Sequence, residues 1–154
     1  MPSTRFRAGL AVALLLLTGT GLRADDAEAR ATKAIEKVGG SVVRDNRIKG
    51  KPIVGVMLSF TNATDDDLKP LKDLSKVPIL ILIRSKVTDA GLKHLKDLDT
   101  LRELNLVSTA VTDAGLKELK DLKKLEKLNV QDTKVTAAGV ADLQKALPNC
   151  KIVR

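Results

Sequence analysis

The sequence predicts an α/β fold, a short solenoid made by stacking near copies of one strand-and-helix coil. Two observations carry this expectation. The first is a 24-residue period. Val87-Thr-Asp-Ala-Gly-Leu-Lys returns as Val111-Thr-Asp-Ala-Gly-Leu-Lys and again as Val135-Thr-Ala-Ala-Gly-Val, with a degenerate earlier copy in Ala63-Thr-Asp-Asp-Asp-Leu-Lys. The second is composition: the apolar residues are almost all aliphatic, and Phe6 and Phe60 are the only aromatics among 154 residues. Such a core lacks the rings that fill irregular interiors, which suits layers that each pack on a copy of themselves.

The chain opens with a basic start at Arg5 and Arg7 and an unbroken apolar run over residues 8–17. Thr18, Gly19, Thr20 and Gly21 follow, and a cleavage point lies after Ala24. This order predicts a secretory signal peptide over residues 1–24. Ten apolar residues are too few for a span, which needs about 20; an uncleaved anchor is the alternative. The expected location is therefore the periplasm, the cell envelope or the extracellular space, with no stable membrane span after cleavage. Cleavage would remove Arg5, Arg7 and Arg23 and no acid, taking the net charge from +8 to +5.

Residues 25–52 read as an N-terminal cap. Ala27, Ala31, Ala34, Ile35 and Val38 have helical spacing, and Gly39-Gly40 stops the helix. Residues 41–44 then fit an edge strand that leads through residues 46–52 into the first coil. Residues 53–154 hold about four 24-residue coils and a C-terminal cap closed by Leu147, Cys150 and Ile152, with residues 146–154 about one position out of register.

Within a coil the apolar skeleton is Leu101, Leu104, Leu106, Thr109 and Val111, repeated as Leu125, Leu128, Val130, Thr133 and Val135. It recurs upstream as Val77, Leu80, Leu82, Ser85 and Val87, and as Ile53, Val56, Leu58, Thr61 and Ala63. Alternation around Leu104 and Leu106 predicts a short strand with both pointing inward. Thr112 stands at a helix N-cap and Asp113 in the first turn, where the helix dipole favours a carboxylate; Thr64, Thr88 and Thr136 fill the same slot. Leu116, Leu119 and Leu122 then mark one face of a short helix. Gly91, Gly115 and Gly139 suggest a close backbone approach between coils, and Asp67, replacing that glycine in the first copy, implies a different turn. Thr61, Ser85, Thr109 and Thr133 form a column whose hydroxyls can satisfy loop backbone groups. Burying the aliphatics of one coil does not offset the entropy of ordering its backbone, so only the array folds.

This pattern over residues 53–154 resembles the ribonuclease-inhibitor-like branch of leucine-rich-repeat proteins, and the V-T-D-A-G-L-K phrase is similar to that of bacterial exported repeats. The resemblance implies parallel strands on a concave face, short helices on a convex face, and a protein-interaction scaffold. The concave columns would then be Gly55, Met57 and Ser59; Ile79, Ile81 and Ile83; Glu103, Asn105 and Val107; and Lys127, Asn129 and Gln131. The second coil stands apart, because residues 78–83 are apolar on both faces. Ile79, Ile81 and Ile83 should lie exposed beside Met57 and Val107 as a partner-binding patch, unless residues 41–52 fold over them. The candidate partner-binding residues are Met57, Ile79, Ile81, Ile83, Glu103, Asn105, Val107, Lys127, Asn129 and Gln131.

Other chemistry finds little support. Cys150, the only cysteine, reads as a small buried apolar residue. Asp65, Asp66, Asp67, Asp89 and Asp113 could suggest calcium, but they lack the ligand spacing of a calcium loop and read as helix N-terminal carboxylates. Asn62-Ala63-Thr64 is a glycosylation sequon that matters only in a eukaryotic secretory route. His94, the only histidine, falls on a helix face. Nucleic acid is not expected: Arg44, Arg47, Lys49 and Lys51 are the densest basic stretch and match no motif. No nucleophile–base pair, metal-ligand set or phosphate loop is evident, so neither an enzyme nor a cofactor is expected. The expectation is an exported, non-catalytic module that binds an unidentified protein partner, the alternative being a self-associating structural component of the cell envelope.

Overall fold

The period of the sequence reappears as strand pairing. In the computed structural model, which describes residues 24–74 and 76–154, a six-stranded sheet runs in chain order. The expected signal segment falls outside the described residues except for Ala24. The strands are β1 (Ser41–Arg44), β2 (Ile53–Met57), β3 (Ile79–Ile81), β4 (Glu103–Asn105), β5 (Lys127–Asn129) and β6 (Lys151–Val153). Strands β2 to β6 are parallel, and Val56, Leu80, Leu104, Leu128 and Ile152 pair in succession, each one period after the last. Only β1 is antiparallel, joined to β2 with Val43 opposite Gly55 and Ser41 opposite Met57.

Ahead of the sheet, helix α1 (Ala24–Lys37) buries Ala31 and Ile35 in the common core. It stops where Gly39 takes a left-handed φ of 83°. There Gly40 N–H donates to Ile35 C=O and Gly39 N–H to Glu36 C=O, which satisfies the last helical carbonyls. Residues 45–52 form a turn rather than a cover. Asp45 N–H donates to Pro52 C=O, and Asp45 takes the Arg47 side chain. The segment extends the sheet sideways as a hairpin and does not fold over Ile79, Ile81 and Ile83.

Behind the sheet, leucines spaced by three select a helix type. Asp65–Asp73 is a 3-10 helix; α2 (Asp89–Leu92) and α3 (Asp113–Leu116) each run directly into a 3-10 turn. At three residues per turn, Leu116, Leu119 and Leu122 stack on one side, as do Leu92, Leu95 and Leu98, and all six are buried. The last helix, α4 (Ala137–Ala146), is a regular α-helix. Its inward step from Leu143 to Leu147 is four residues, where Leu119 to Leu122 is three. This accounts for the one-residue shift expected near the C-terminus and also corrects it: the shift is confined to Leu147 and Cys150, and β6 regains the register of the earlier strands. Gln144 Nε2 donates to the carbonyls of Leu147, Pro148 and Cys150, which ties down the tightened loop.

Coils are stitched to one another by carboxylates. Asp65, Asp89 and Asp113 each reach the next coil and accept both the backbone N–H and the hydroxyl of Thr88, Thr112 and Thr136, at 2.7–2.8 Å. Each of those hydroxyls also accepts a backbone N–H of its own helix, from Ala90, Ala114 and Gly139. The reaching carboxylate explains the glycines. A Cβ at Gly91, Gly115 or Gly139 would overlap Oδ1 of Asp65, Asp89 or Asp113, so a side chain rather than the expected backbone makes the close approach. The first coil has no predecessor to supply the carboxylate. There Asp67, in the glycine's place, accepts the N–H and hydroxyl of Thr64 itself. At the other end Ala137 stands where the reaching aspartate would be, and the series stops.

On the strand side, Thr61, Ser85, Thr109 and Thr133 donate to the carbonyls three residues back, at 2.6–2.8 Å, as the sequence suggests. Immediately before them, Phe60, Arg84, Ser108 and Asp132 all take left-handed φ values of 52–57°, a tight corner repeated in every coil.

The stitch has a testable sign. Gly115→Ala should destabilise the protein by about 1–3 kcal/mol in urea unfolding, the usual cost of overpacking. With Asp89→Ala in the background the same change should become neutral or stabilising, because alanine outranks glycine in a helix. A penalty undiminished by Asp89→Ala would remove the stitch as the reason for the glycine.

Candidate functional site

Strand alternation sends Leu80, Leu82, Leu104, Leu106, Leu128 and Val130 into the core, where all are buried. The residues between them lie on the opposite, outer face of the sheet, as expected from the period. Pairing register arranges them in columns across the strands. One runs Gly55, Ile79, Glu103, Lys127, Lys151; the next runs Met57, Ile81, Asn105, Asn129, Val153. Neighbours in a column are about 4.8 Å apart.

This face is divided. Over β1 to β3 it is apolar: Val43 is 42% exposed, Met57 43% and Ile79 38%, while Ile81 and Ile83 are half-buried. At its rim Phe60 is 70% exposed, with the Arg84 guanidinium 5.6 Å from its ring centre. Over β4 to β6 the face is polar. Glu103 and Lys127 form a loose ion pair at 3.7 Å, and Lys151 makes no ion pair among the described residues. Asn105 Oδ1 accepts the N–H of Val107, and Asn129 Oδ1 that of Gln131. Because a backbone N–H can bond only the amide oxygen, both Asn side chains are oriented with their NH2 groups turned from that N–H. Asn129 Nδ2 leans on Gln131 Oε1 at 3.2 Å; Asn105 Nδ2 meets no acceptor among the described residues. Residues 103–105, 127–129, 151 and 153 line a shallow groove here, and half-buried Val107 lies beside Ile83 in a third column that continues to Gln131.

All ten residues singled out from the sequence therefore lie on one face. Val43, Lys151, Val153 and the Phe60–Arg84 pair lie on it or at its rim and were missed. Lys151 and Val153 follow Lys127 and Asn129 by one period, so carrying the repeat to the end of the chain finds them. Val43 needs the antiparallel hairpin, and the Phe60 corner has no glycine or asparagine to announce it.

Elsewhere several titratable groups have structural occupations. Hydrogen bonds from the Thr136 hydroxyl and N–H hold the Asp113 carboxyl below its ordinary value. Asp65 and Asp89 make the same bonds, so threonines take the oxygens that a calcium reading would need. Asp66 is held low by its hydrogen bond and charge pairing with Lys69, with a smaller contribution from His94. Burial pushes the Cys150 thiol up to about 11, as befits a small apolar residue of the core. Among the described residues no group of three or more His, Cys, Asp or Glu is placed to hold a metal ion, and no helix is long and apolar enough to cross a membrane.

A parallel sheet backed by short helices, with one leucine-lined coil per period, defines a leucine-rich-repeat-like α/β fold. Residues 98–120 match the family model described as Leucine Rich repeat, so the chain carries a leucine-rich repeat there. No curated protein matches the sequence. Among solved structures, a leucine-rich-repeat protein of Leptospira interrogans is similar at 23% identity with a TM-score of 0.46. The match covers 56% of this chain and 21% of that one.

Exposure separates the two faces energetically. Ile79→Ser should cost no more than about 1 kcal/mol in urea unfolding, as expected for a surface position. Leu80→Ala, one residue away and fully buried, should cost about 2–5 kcal/mol. Equal losses would mean that Ile79 is part of the core.

Proposed function

We propose that this protein is an exported, non-catalytic interaction module that binds a protein partner through the outer, concave face of a leucine-rich-repeat solenoid. The observation that carries the reading is the apolar area of Val43, Met57, Ile79, Ile81 and Ile83, left open beside a column of polar side chains on a rigid sheet. Apolar area rimmed by polar groups is characteristic of interaction sites, and Met, Phe and Arg are enriched in interface cores. In this reading the sites are Met57, Ile79, Ile81, Ile83, Glu103, Asn105, Val107, Lys127, Asn129 and Gln131. Residues 25–52 form the N-terminal cap and residues 53–154 the repeat domain, of the ribonuclease-inhibitor-like branch. Export rests on Arg5, Arg7 and the apolar residues 8–17.

Self-association as an envelope component is the second reading. It is favoured by β6, whose outer edge pairs with no strand among the described residues; such edges accept further strands.

A pulldown from envelope and secreted fractions of the source tests both. The native chain should capture a distinct protein that an Ile81→Lys variant, shown to unfold at an unchanged urea concentration, does not. Capture only of further copies of the chain would favour self-association. Equal capture by both forms would move the site off this face.

A further inference from the structure

We infer that the partner presents a short extended segment in which apolar residues are followed by carboxylates, the apolar part lying over β1 to β3 and the carboxylates over β4 to β6. This rests on the reading of the outer face as the binding surface and names the chemistry that face would select.

Dimensions come first. From the Met57 column position to Val153 is four strand spacings, about 19 Å. An extended chain covers that distance with about six residues. The apolar part takes up about half of that length. It has room to anchor one or two large side chains.

Charge and hydrogen-bonding capacity decide the other half. Among the described residues the outer face of β4 to β6 offers Asn105 Nδ2, the second hydrogen of Asn129 Nδ2, Lys127 and Lys151 as donors; its acceptors are Glu103, which Lys127 attends at 3.7 Å, and Gln131 Oε1, which Asn129 Nδ2 already bonds. The asparagine oxygens are used by the Val107 and Gln131 N–H groups, so these side chains cannot rotate to offer acceptors without breaking those bonds. Asn105 and Asn129 are register partners. Lys127 and Lys151 are too, so two amides and two lysines line one groove together with Glu103. A set of donors whose own acceptors are internally paired fits a ligand that brings acceptors and negative charge, and penalises one that brings donors. Aspartate and glutamate side chains supply this, with charge-assisted hydrogen bonds to the amides and ammonium groups.

The same geometry supplies a nearly isosteric test. In Asn105→Asp or Asn129→Asp the surviving oxygen still accepts the backbone N–H, while the outward NH2 becomes a negatively charged oxygen. A displayed library of random seven-residue peptides would be selected on the full chain, and the consensus peptide then titrated against native, Asn105→Asp and Ile81→Lys proteins. The enriched sequences should join one or two large apolar residues to a run of Asp or Glu. Binding should weaken with salt, fall on the order of tenfold with Asn105→Asp, and be lost with Ile81→Lys. Peptides without acids, or binding indifferent to Asn105→Asp but lost with Ile81→Lys, would overturn the acidic partner and leave the binding face standing. No enrichment, or peptides indifferent to both substitutions, would overturn the binding face and the acidic partner together.

Discussion

Asp65, Asp89 and Asp113 sit at the start of one helix turn and find their acceptor role in the next coil, on the N–H and hydroxyl of a threonine 23 residues on. A helix N-terminus leaves N–H groups without partners, and here the preceding coil satisfies part of that need. Once a carboxylate must pass at that level, the residue it passes cannot carry a Cβ, and glycine follows at 91, 115 and 139. The spacing of the coils, the pairing of their strands and the alignment of their leucines are then fixed together. The ends follow the same rule in reverse: Asp67 serves its own coil, and Ala137 reaches for nothing.

Tying the helix side together in this way leaves the outer strand face with little structural duty. Inward strand positions hold Leu, Val or Ile throughout, since each layer must match the one beneath it. Outward positions change from isoleucine at β3 to Glu and Asn at β4 and Lys and Asn at β5, without disturbing the register. Stability of such a stack is shared between neighbouring coils, so the variable face can be adapted to a ligand at small cost to the fold. The asparagines refine this division, because each spends its oxygen on the backbone and turns its donor outward.

Much of this was legible in the sequence because a period survives substitution. The strand positions, the threonine N-caps and the Thr61, Ser85, Thr109 and Thr133 column follow from the repeat and the apolar alternation, and helix α1 from its own helical spacing. Carboxylate-to-threonine bonds were not legible, since a glycine in a helix signals close approach without saying what approaches. The left-handed corner at Phe60, Arg84, Ser108 and Asp132 escaped for another reason: packing imposes it on residues with no preference for it. Lys151 and Val153 were lost from the candidate site because the four-residue step from Leu143 to Leu147 looked like a break in register, although the loop before β6 takes the extra residue back.

The two faces carry lysines that report on them separately: Lys127 and Lys151 on the outer strand face, Lys93 and Lys117 on the helix side. Acetylation of surface lysines, read by mass spectrometry with and without the bound partner, distinguishes the faces in one experiment. Protection of Lys127 and Lys151, with Lys93 and Lys117 reacting as in the free protein, is the expected result. Protection of the helix-side lysines, with Lys127 and Lys151 still reactive, would contradict the assignment of structure to one face and recognition to the other.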